Sequence, residues 1–193
     1  MTKDQDIKSL RDQFPVLFAK QNGKEIIYLD NGATTQKPRK VIDAMTQFYE
    51  DRYATVHRGI YGLSQRATDE CDNVRVQVKE FINASSDTEV IFTRGTTHAI
   101  NTVAKGFVEK NIKAGQDIII TEMEHHANIV PWQEVCKATG ANLIVIPVDD
   151  SGELIVSELE SKLSENTFFV SIIHISNVLG TVNDVKSICE KAK

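Results

Sequence analysis

The chain has 193 residues, of which 41% are hydrophobic and 25% are charged, and these are ordinary proportions for a globular protein. Its formal net charge is −5 and no run of lysines and arginines occurs, so we expect neither nucleic acid nor an acidic membrane as a partner. No stretch approaches the roughly 20 apolar residues of a membrane helix, and the polar N-terminus lacks a signal-peptide core.

The cysteines Cys71, Cys136 and Cys189 are odd in number and widely spaced, which favours reduced thiols in the cytoplasm over a disulfide framework or a zinc knuckle. All three fall within predicted helices, so we expect each to be buried for structural reasons and none to act as a nucleophile.

The first half of the chain is predicted to be mainly helical. Residues 5–13 form a short amphipathic helix, residues 26–29 a brief strand, and residues 38–53 and 63–83 two further helices. The last of these carries an apolar stripe at helical spacing: Ala67, Cys71, Val74, Val78 and Phe81.

The second half alternates strands and helices. Strands are predicted at 89–93, 117–121, 142–148 and 167–176, and helices at about 96–110, 129–139 and 156–163 and from near 184, with Gly140 as a C-cap. The last three strands are almost continuously apolar, which is typical of strands covered on both faces of a parallel sheet. The fold class is therefore α/β, a doubly wound, mostly parallel sheet with flanking helices.

The predicted sheet is incomplete. The last helix reaches the end of the chain without a stop signal, and about four strands would leave an apolar edge bare. These features predict a truncated fragment of a larger domain.

Polar clusters follow three of the predicted strands, where open α/β sheets bind ligands. In "TRGTTHAIN", Thr96 and Thr97 open a helix after a glycine, an arrangement that suits a phosphate, although N-capping by threonine explains it equally well. Asn177 presents a neutral amide after the last strand, where it can also be a turn residue. Three such clusters favour a phosphorylated, planar ligand.

The third cluster contains His125 and His126. If this segment is extended, the two side chains point in opposite directions, and no His pair has the i, i+4 spacing of helical zinc sites, so no metal is expected. One imidazole can instead lie on an aromatic ligand or transfer a proton. The alternative is one packed and one solvated histidine.

Two earlier loops contain further candidates. "YLDNGATTQKP" places Ala33 where it could approach a small ligand, and "VHRGIYGLS" places His57 and Arg58 in a glycine-flanked loop that could bind a carboxylate. A solvated loop is the favoured interpretation of His57 and Arg58.

Five segments, "YLDNGATTQKP", "VHRGIYGLS", "FTRGTTHAIN", "MEHHANIVPWQ" and "ISNVLGT", have the order and spacing of the class V aminotransferase fold. From about Leu10 to Lys193 the chain most resembles the SUF-type cysteine desulfurases. The resemblance implies a cytoplasmic homodimer of fold type I that uses pyridoxal 5′-phosphate. It would release sulfur from L-cysteine, or selenium from L-selenocysteine, leaving alanine, and would pass an enzyme persulfide to a sulfur-acceptor protein of the SUF system for iron–sulfur cluster assembly.

The resemblance also implies roles for individual residues. His125 matches the catalytic histidine that stacks on the cofactor ring, Thr96 and Thr97 match the phosphate-binding pair, and Asn177 matches the amide beside the cofactor and the substrate carboxylate. Three residues match positions near the substrate pocket or the dimer interface, namely Ala33, His57 and Arg58.

Four groups of the family have no matching position in this chain: an aspartate at the pyridine nitrogen, the lysine that holds the cofactor, the sulfur-accepting cysteine and a carboxylate-binding arginine. We therefore expect residues 1–27 to be an N-terminal helical segment and 28–193 the first, incomplete part of the large cofactor-binding domain, inactive alone. The alternatives are a selenocysteine or cysteine-sulfinate lyase or an aminotransferase of the same fold, and a non-catalytic half-fold binding protein.

Overall fold

A computed structural model describes residues 7–192, and these residues belong to two compact units, Met1–Ile91 and Phe92–Lys193. The predicted division at residue 27 stays a prediction, since the compact units change at a different position. No helix in the described part of the chain is both long enough and apolar enough to cross a membrane.

The first unit is helical with one small hairpin. Helix α1 spans Ile7–Arg11, α2 spans Arg39–Gln47 and continues into a wide turn at Phe48–Arg52, and α3 spans Gly62–Phe81. These bounds confirm the helices predicted at 38–53 and 63–83. The predicted helix over 5–13 is shorter, and its first two positions lie outside the described residues.

The strand predicted at 26–29 is wrong. Strands β1 (Lys20–Gln21) and β2 (Lys24–Glu25) form an antiparallel hairpin, and residues 26–29 follow it without regular structure. The turn is Asn22-Gly23, where both residues have positive φ, 53° and 75°. This dipeptide is the strongest short-range hairpin signal in a sequence. The hairpin ends at Glu25, and residues 26–29 pair with no strand among the described residues.

The second unit is built around a parallel sheet of three strands in the order β4-β3-β5. Strand β3 spans Asp117–Thr121, β4 spans Asn142–Ile146 and β5 spans Thr167–Ser171. The predicted strand at 89–93 is also wrong, because a 3-10 turn at Asp87–Glu89 leads into irregular chain. Strands β4 and β5 are shorter than predicted, since the chain turns away from the sheet after Ile146 and Ser171.

Helices occupy the predicted places around this sheet. Helix α4 (Thr96–Val103) continues through a wide turn at Ala104–Val108 into α5 (Glu109–Asn111). Helix α6 spans Val130–Thr139, α7 spans Val156–Lys162 and α8 spans Val185–Lys191. Gly140 ends α6 in the left-handed conformation, with φ of 75°, as the C-cap prediction requires.

The two faces of β3 belong to two separate cores. Ile118 and Ile120 pack with Trp132 of α6, whereas Ile119 packs with Leu159 of α7 and the α8 side chain at 188. All three isoleucines are at most 1% exposed. Helices therefore cover both faces, and the α/β doubly wound parallel sheet with flanking helices is confirmed.

This topology locates a ligand site. Helix α6 follows β3 and packs on one face, while α8 follows β5 and packs on the other. The connections leaving these adjacent strands thus diverge at their carboxyl ends, and such a switch point is where open α/β sheets bind ligands.

Candidate functional site

His125 and His126 lie on the turn that follows β3. The turn is a 3-10 helix over His126–Asn128, and His125 is its N-cap, with Nδ1 accepting a hydrogen bond of 3.0 Å from the Ala127 amide. The two rings are perpendicular, with centroids 6.2 Å apart, and both side chains are exposed. His125 has an extended backbone, but the chain begins to turn at His126, so the condition of an extended segment holds for only the first of the two histidines.

Both histidines line one open cavity of about 430 Å³. Thr97 of α4 lines the same cavity, so the structure brings together two of the residues that the sequence assigned to a ligand. The cavity also contains residues that sequence reasoning missed, Asn101, Lys105 and Glu134. Asn101 is one helical turn from Thr97 and donates to its carbonyl, a spacing that could have identified it.

The N-terminus of α4 suits an anion. Gly95, with φ of 144°, makes the turn into the helix, and no side chain caps it. The first backbone amides of a helix have no partner within it, and Thr96 and Thr97 add two exposed hydroxyls beside them. Thr96 does not line the cavity that contains Thr97 and His125.

A buried set of polar side chains supports the turn that carries the histidines. Glu124 Oε1 accepts hydrogen bonds from Thr121 Oγ1 at 2.6 Å and from the Ile173 amide at 2.8 Å, and Oε2 accepts from Asn128 Nδ2 at 2.7 Å. Asn128 Oδ1 accepts from Trp132 Nε1 at 2.8 Å and from Ser171 Oγ at 2.7 Å. Sequence reasoning missed this set, although Glu124, Asn128 and Trp132 are spaced four residues apart.

Asn177 lies on a loop beyond β5. The loop is closed by an isolated antiparallel bridge between Ile175 and Val182, and Ser176 is its buried anchor, accepting from the backbone at 178 and 179. Asn177 itself is exposed, and its amide has no hydrogen bond within the described residues. Gly180 has φ of 77°, as expected for the turn behind it.

Ala33, His57 and Arg58 belong to the first compact unit, and all three are exposed. Ala33 lies in a turn in which its amide donates to the Asp30 carbonyl at 3.2 Å. His57 has a positive φ of 64°, and its amide donates to Thr68 Oγ1 at 2.9 Å. Their assignment to the substrate stays a prediction.

One group of possible metal ligands occurs in residues 7–192: the ligand atoms of His57, Cys71 and Asp72 lie within 4.8 Å of one another. His57 and Asp72 are exposed, and Cys71 is half-buried. Exposed groups of this kind are common on proteins that bind no metal, so the expectation of a metal-free site is kept as a prediction.

The cysteines differ in environment. Cys189 is exposed, so the prediction that every cysteine is buried is wrong for this one; its position faces away from the core that Ile188 enters. Cys136 is half-buried against the sheet, and burial, together with the negative charge of Asp117, raises the pKa of its thiol. A raised pKa suits a structural cysteine.

Residues 27–193 match the aminotransferase class-V family. The chain belongs to this family. It is 50% identical over 186 residues to a cysteine desulfurase of Enterobacter sp. (strain 638), covering 96% of this chain and 46% of that protein. The fold superimposes with a TM-score of 0.89 on the apo structure of a cysteine desulfurase from Thermococcus onnurineus NA1, at 34% identity, covering 100% of this chain and 46% of that one.

A second solved structure of a cysteine desulfurase has a similar fold. The cysteine desulfurase CsdA of Escherichia coli gives a TM-score of 0.80 at 32% identity, with 98% of this chain and 47% of that chain covered. The chain thus spans less than half the length of these relatives, and the family membership predicted from the five sequence segments is confirmed.

Proposed function

We propose that this chain forms the N-terminal part of the cofactor-binding domain of a SUF-type cysteine desulfurase. The observation that carries the proposal is the cavity shared by Thr97 and His125, beside the carboxyl end of β3 in a class-V chain. A hydroxyl at the start of a helix and an exposed imidazole are the two kinds of group needed to hold a phosphorylated aromatic ring.

The residues present fit pyridoxal 5′-phosphate. The uncapped first turn of α4 offers backbone amides, and Thr96 and Thr97 offer hydroxyls, which together match the acceptor oxygens of a phosphate. Bound pyridoxal phosphate supplies an electron sink for the amino-acid substrate. The protein groups would hold and orient it: Thr96 and Thr97 at the phosphate, His125 on the ring, and the unpartnered amide of Asn177 at a neutral or anionic oxygen.

The hydrogen bond to His125 leaves one of its ring nitrogens for proton transfer. Its Nδ1 accepts from the Ala127 amide, so the neutral ring carries its proton on Nε2. Nε2 is therefore the nitrogen that donates a hydrogen bond or transfers a proton in the cavity.

The remaining parts of the proposal concern the whole protein. Its substrate is L-cysteine, or L-selenocysteine, its product is alanine, and the sulfur passes as an enzyme persulfide to a SUF acceptor for iron–sulfur cluster assembly. The enzyme is a cytoplasmic homodimer, and Ala33, His57 and Arg58 contribute to the substrate pocket or the subunit interface. The 193-residue chain alone has no activity, because none of its lysines matches the family's cofactor-holding lysine.

The test compares the 193-residue chain with the complete protein that contains it. Both are mixed with pyridoxal phosphate, freed of excess cofactor and assayed for alanine and sulfide from L-cysteine. The complete protein should retain stoichiometric cofactor and turn over, while the chain alone should do neither. Alanine formation from cysteine sulfinate but not from cysteine would instead identify a sulfinate lyase, and turnover by the chain alone would show that a lysine within it holds the cofactor.

A further inference from the structure

Glu124 and Asn128, with their four partners, form the buried hydrogen-bonded set described above. These two residues do not line the cavity. Glu124 and Asn128 are each 8% exposed, and Thr121 is fully buried. Every buried side-chain nitrogen and oxygen in the described chain, including those of this set, has at least one hydrogen-bond partner. Such networks hold one arrangement, because any change leaves a buried polar group unpaired.

The donors and acceptors of this set allow only one orientation of each group. Trp132 Nε1 can only donate, so the side-chain oxygen of Asn128 must face it, and the Asn128 NH₂ group must then face Glu124. The other oxygen of Glu124 accepts a hydrogen bond from the Ile173 amide, which also can only donate. Position 124 therefore requires an acceptor at both ends, which a carboxylate provides and a glutamine does not.

Two residues of this set flank His125 in the sequence. Glu124 precedes His125, and Asn128 follows it by three residues, with the Asn128 amide donating to the His125 carbonyl at 2.7 Å. The same turn brings the Ala127 amide to His125 Nδ1. Through Ser171 and Ile173, the set also connects the turn to the end of β5 and to the segment after it, and Ile173 is four residues before Asn177.

We propose that Glu124 and Asn128 are positioning residues that hold His125 in its Nε2-protonated form, facing the cavity, at a fixed place relative to the segment after β5. Neither residue lines the cavity, so both act through His125 and the chain around it. The consequence for catalysis rests on the proposed function; the consequence for the imidazole does not.

The complementarity of the two side chains gives a reciprocal test. In Glu124→Gln an NH₂ group meets either the Asn128 NH₂ or the Ile173 amide, and in Asn128→Asp two carboxyl groups face each other. In the double variant, the new carboxylate at 128 accepts from Trp132 and Ser171 on one oxygen and from the new amide at 124 on the other. The double variant therefore restores every hydrogen bond.

The first readout is the tautomer of His125, measured by nitrogen NMR on the 193-residue chain labelled at its five histidines. The unsubstituted chain should show Nδ1 as the unprotonated nitrogen. Each single variant should lose this preference, and the double variant should regain it. Glu122→Gln is the matched control, because Glu122 is exposed and lies two residues away. Its carboxylate accepts a hydrogen bond of 3.3 Å from the Val148 amide, outside the buried set, so this variant should leave the tautomer unchanged.

If a single variant fails to fold, the double variant still decides, because it should fold and show the original tautomer. Retention of the tautomer in both folded single variants would overturn the proposal. A double variant no closer to the original than the worse single variant would also overturn it.

The second readout separates this proposal from the function. In the complete protein, each single variant should form alanine from L-cysteine at least about tenfold more slowly and with an altered pH profile, and the double variant should recover most of the rate. Loss of the tautomer without any change in rate would support the positioning role and contradict the proposed role of His125.

Discussion

His125 and His126 are both exposed in one cavity, but only His125 has a ring nitrogen fixed by a backbone amide. His126 meets it edge to face, with no hydrogen bond to its ring within the described residues. A fixed imidazole is the one suited to stacking and proton transfer, because its orientation does not have to be established during the reaction.

The first prediction follows from this difference. In the complete protein, His125→Ala should slow alanine formation from saturating L-cysteine by at least about tenfold, because a positioned acid–base group is removed. His126→Ala should have a smaller effect. Initial rates of alanine release measure both, and equal losses in the two variants would contradict the assignment of His125.

Cys136 provides a second residue-scale prediction. Burial and then the charge of Asp117 raise the pKa of its thiol above the ordinary 9.0, so less thiolate is present at any given pH. Iodoacetamide labelling of Cys136 in the folded chain should therefore rise at a higher pH than labelling of the same cysteine in the chain unfolded in urea. Mass spectrometry of the Cys136 peptide measures both profiles, and coincident profiles would contradict the prediction.

At the scale of elements, the first turn of α4 is available to a ligand. It begins after Gly95 without a side-chain cap, so its amides and the hydroxyls of Thr96 and Thr97 are available to an anion. A cap residue would have occupied the same amides.

The third prediction concerns these hydroxyls. Replacing both with alanine in the complete protein, Thr96→Ala with Thr97→Ala, should weaken cofactor retention, since each hydrogen bond to a charged group contributes about 1.5–3 kcal/mol. Cofactor occupancy after dialysis measures the effect. Thr102→Ala is the control, because Thr102 lies in the same helix and its hydroxyl donates to the His98 carbonyl. Unchanged occupancy in the double variant would exclude the phosphate assignment.

Strand β3 is the element on which both cores of the second unit depend. Ile118 and Ile119 are each 0% exposed, on opposite faces. As the fourth prediction, Ile118→Ala and Ile119→Ala should each lower the free energy of unfolding by about 2–5 kcal/mol. Ile27→Ala should change it by less than about 0.5 kcal/mol, because Ile27 is 83% exposed. Urea unfolding measures all three. A loss of less than about 0.5 kcal/mol in either Ile118→Ala or Ile119→Ala, like that expected for Ile27→Ala, would contradict the two-core description.

For the whole molecule, the sequence predicted the elements that the pattern of their own residues identifies. The run at 117–121 is buried on both faces as its continuous apolar pattern indicates, and the helices around it begin and end near their predicted limits. The runs at 26–29 and 89–93 are also rich in apolar residues but form no strand, and Leu29 and Ile91 remain 88% and 74% exposed. A strand needs a neighbouring strand, and composition alone does not reveal one.

The candidate site was predicted to a similar extent. The sequence identified Thr97 and His125 because each follows a strand or opens a helix, which is a local feature. It missed Glu124 and Asn128, because their roles depend on Trp132 and on residues more than forty positions away at the end of β5. Long-range hydrogen bonds leave no periodic pattern in a sequence.

Large apolar side chains remain exposed in both units, and this leads to the last prediction. Leu29, Ile60, Phe81 and Val178 are each more than 80% exposed, with values of 88%, 105%, 91% and 81%. Apolar side chains as exposed as these give a hydrophobic dye a surface to bind. The 193-residue chain should therefore enhance the fluorescence of the dye ANS strongly. In the proposed complete enzyme, further chain or a second subunit would cover these side chains, so the complete protein should enhance ANS fluorescence much less per chain.

A matched pair of variants checks the source of this signal. Leu29→Lys with Ile60→Lys should reduce the ANS fluorescence of the 193-residue chain, because two of its most exposed apolar side chains are replaced by charged ones. Gln65→Lys with Gln77→Lys adds the same charge at exposed polar positions of α3 and should leave the signal unchanged. Equal fluorescence from the chain and the complete protein would show that these side chains stay exposed in both, and would contradict the proposal that further chain or a second subunit covers them.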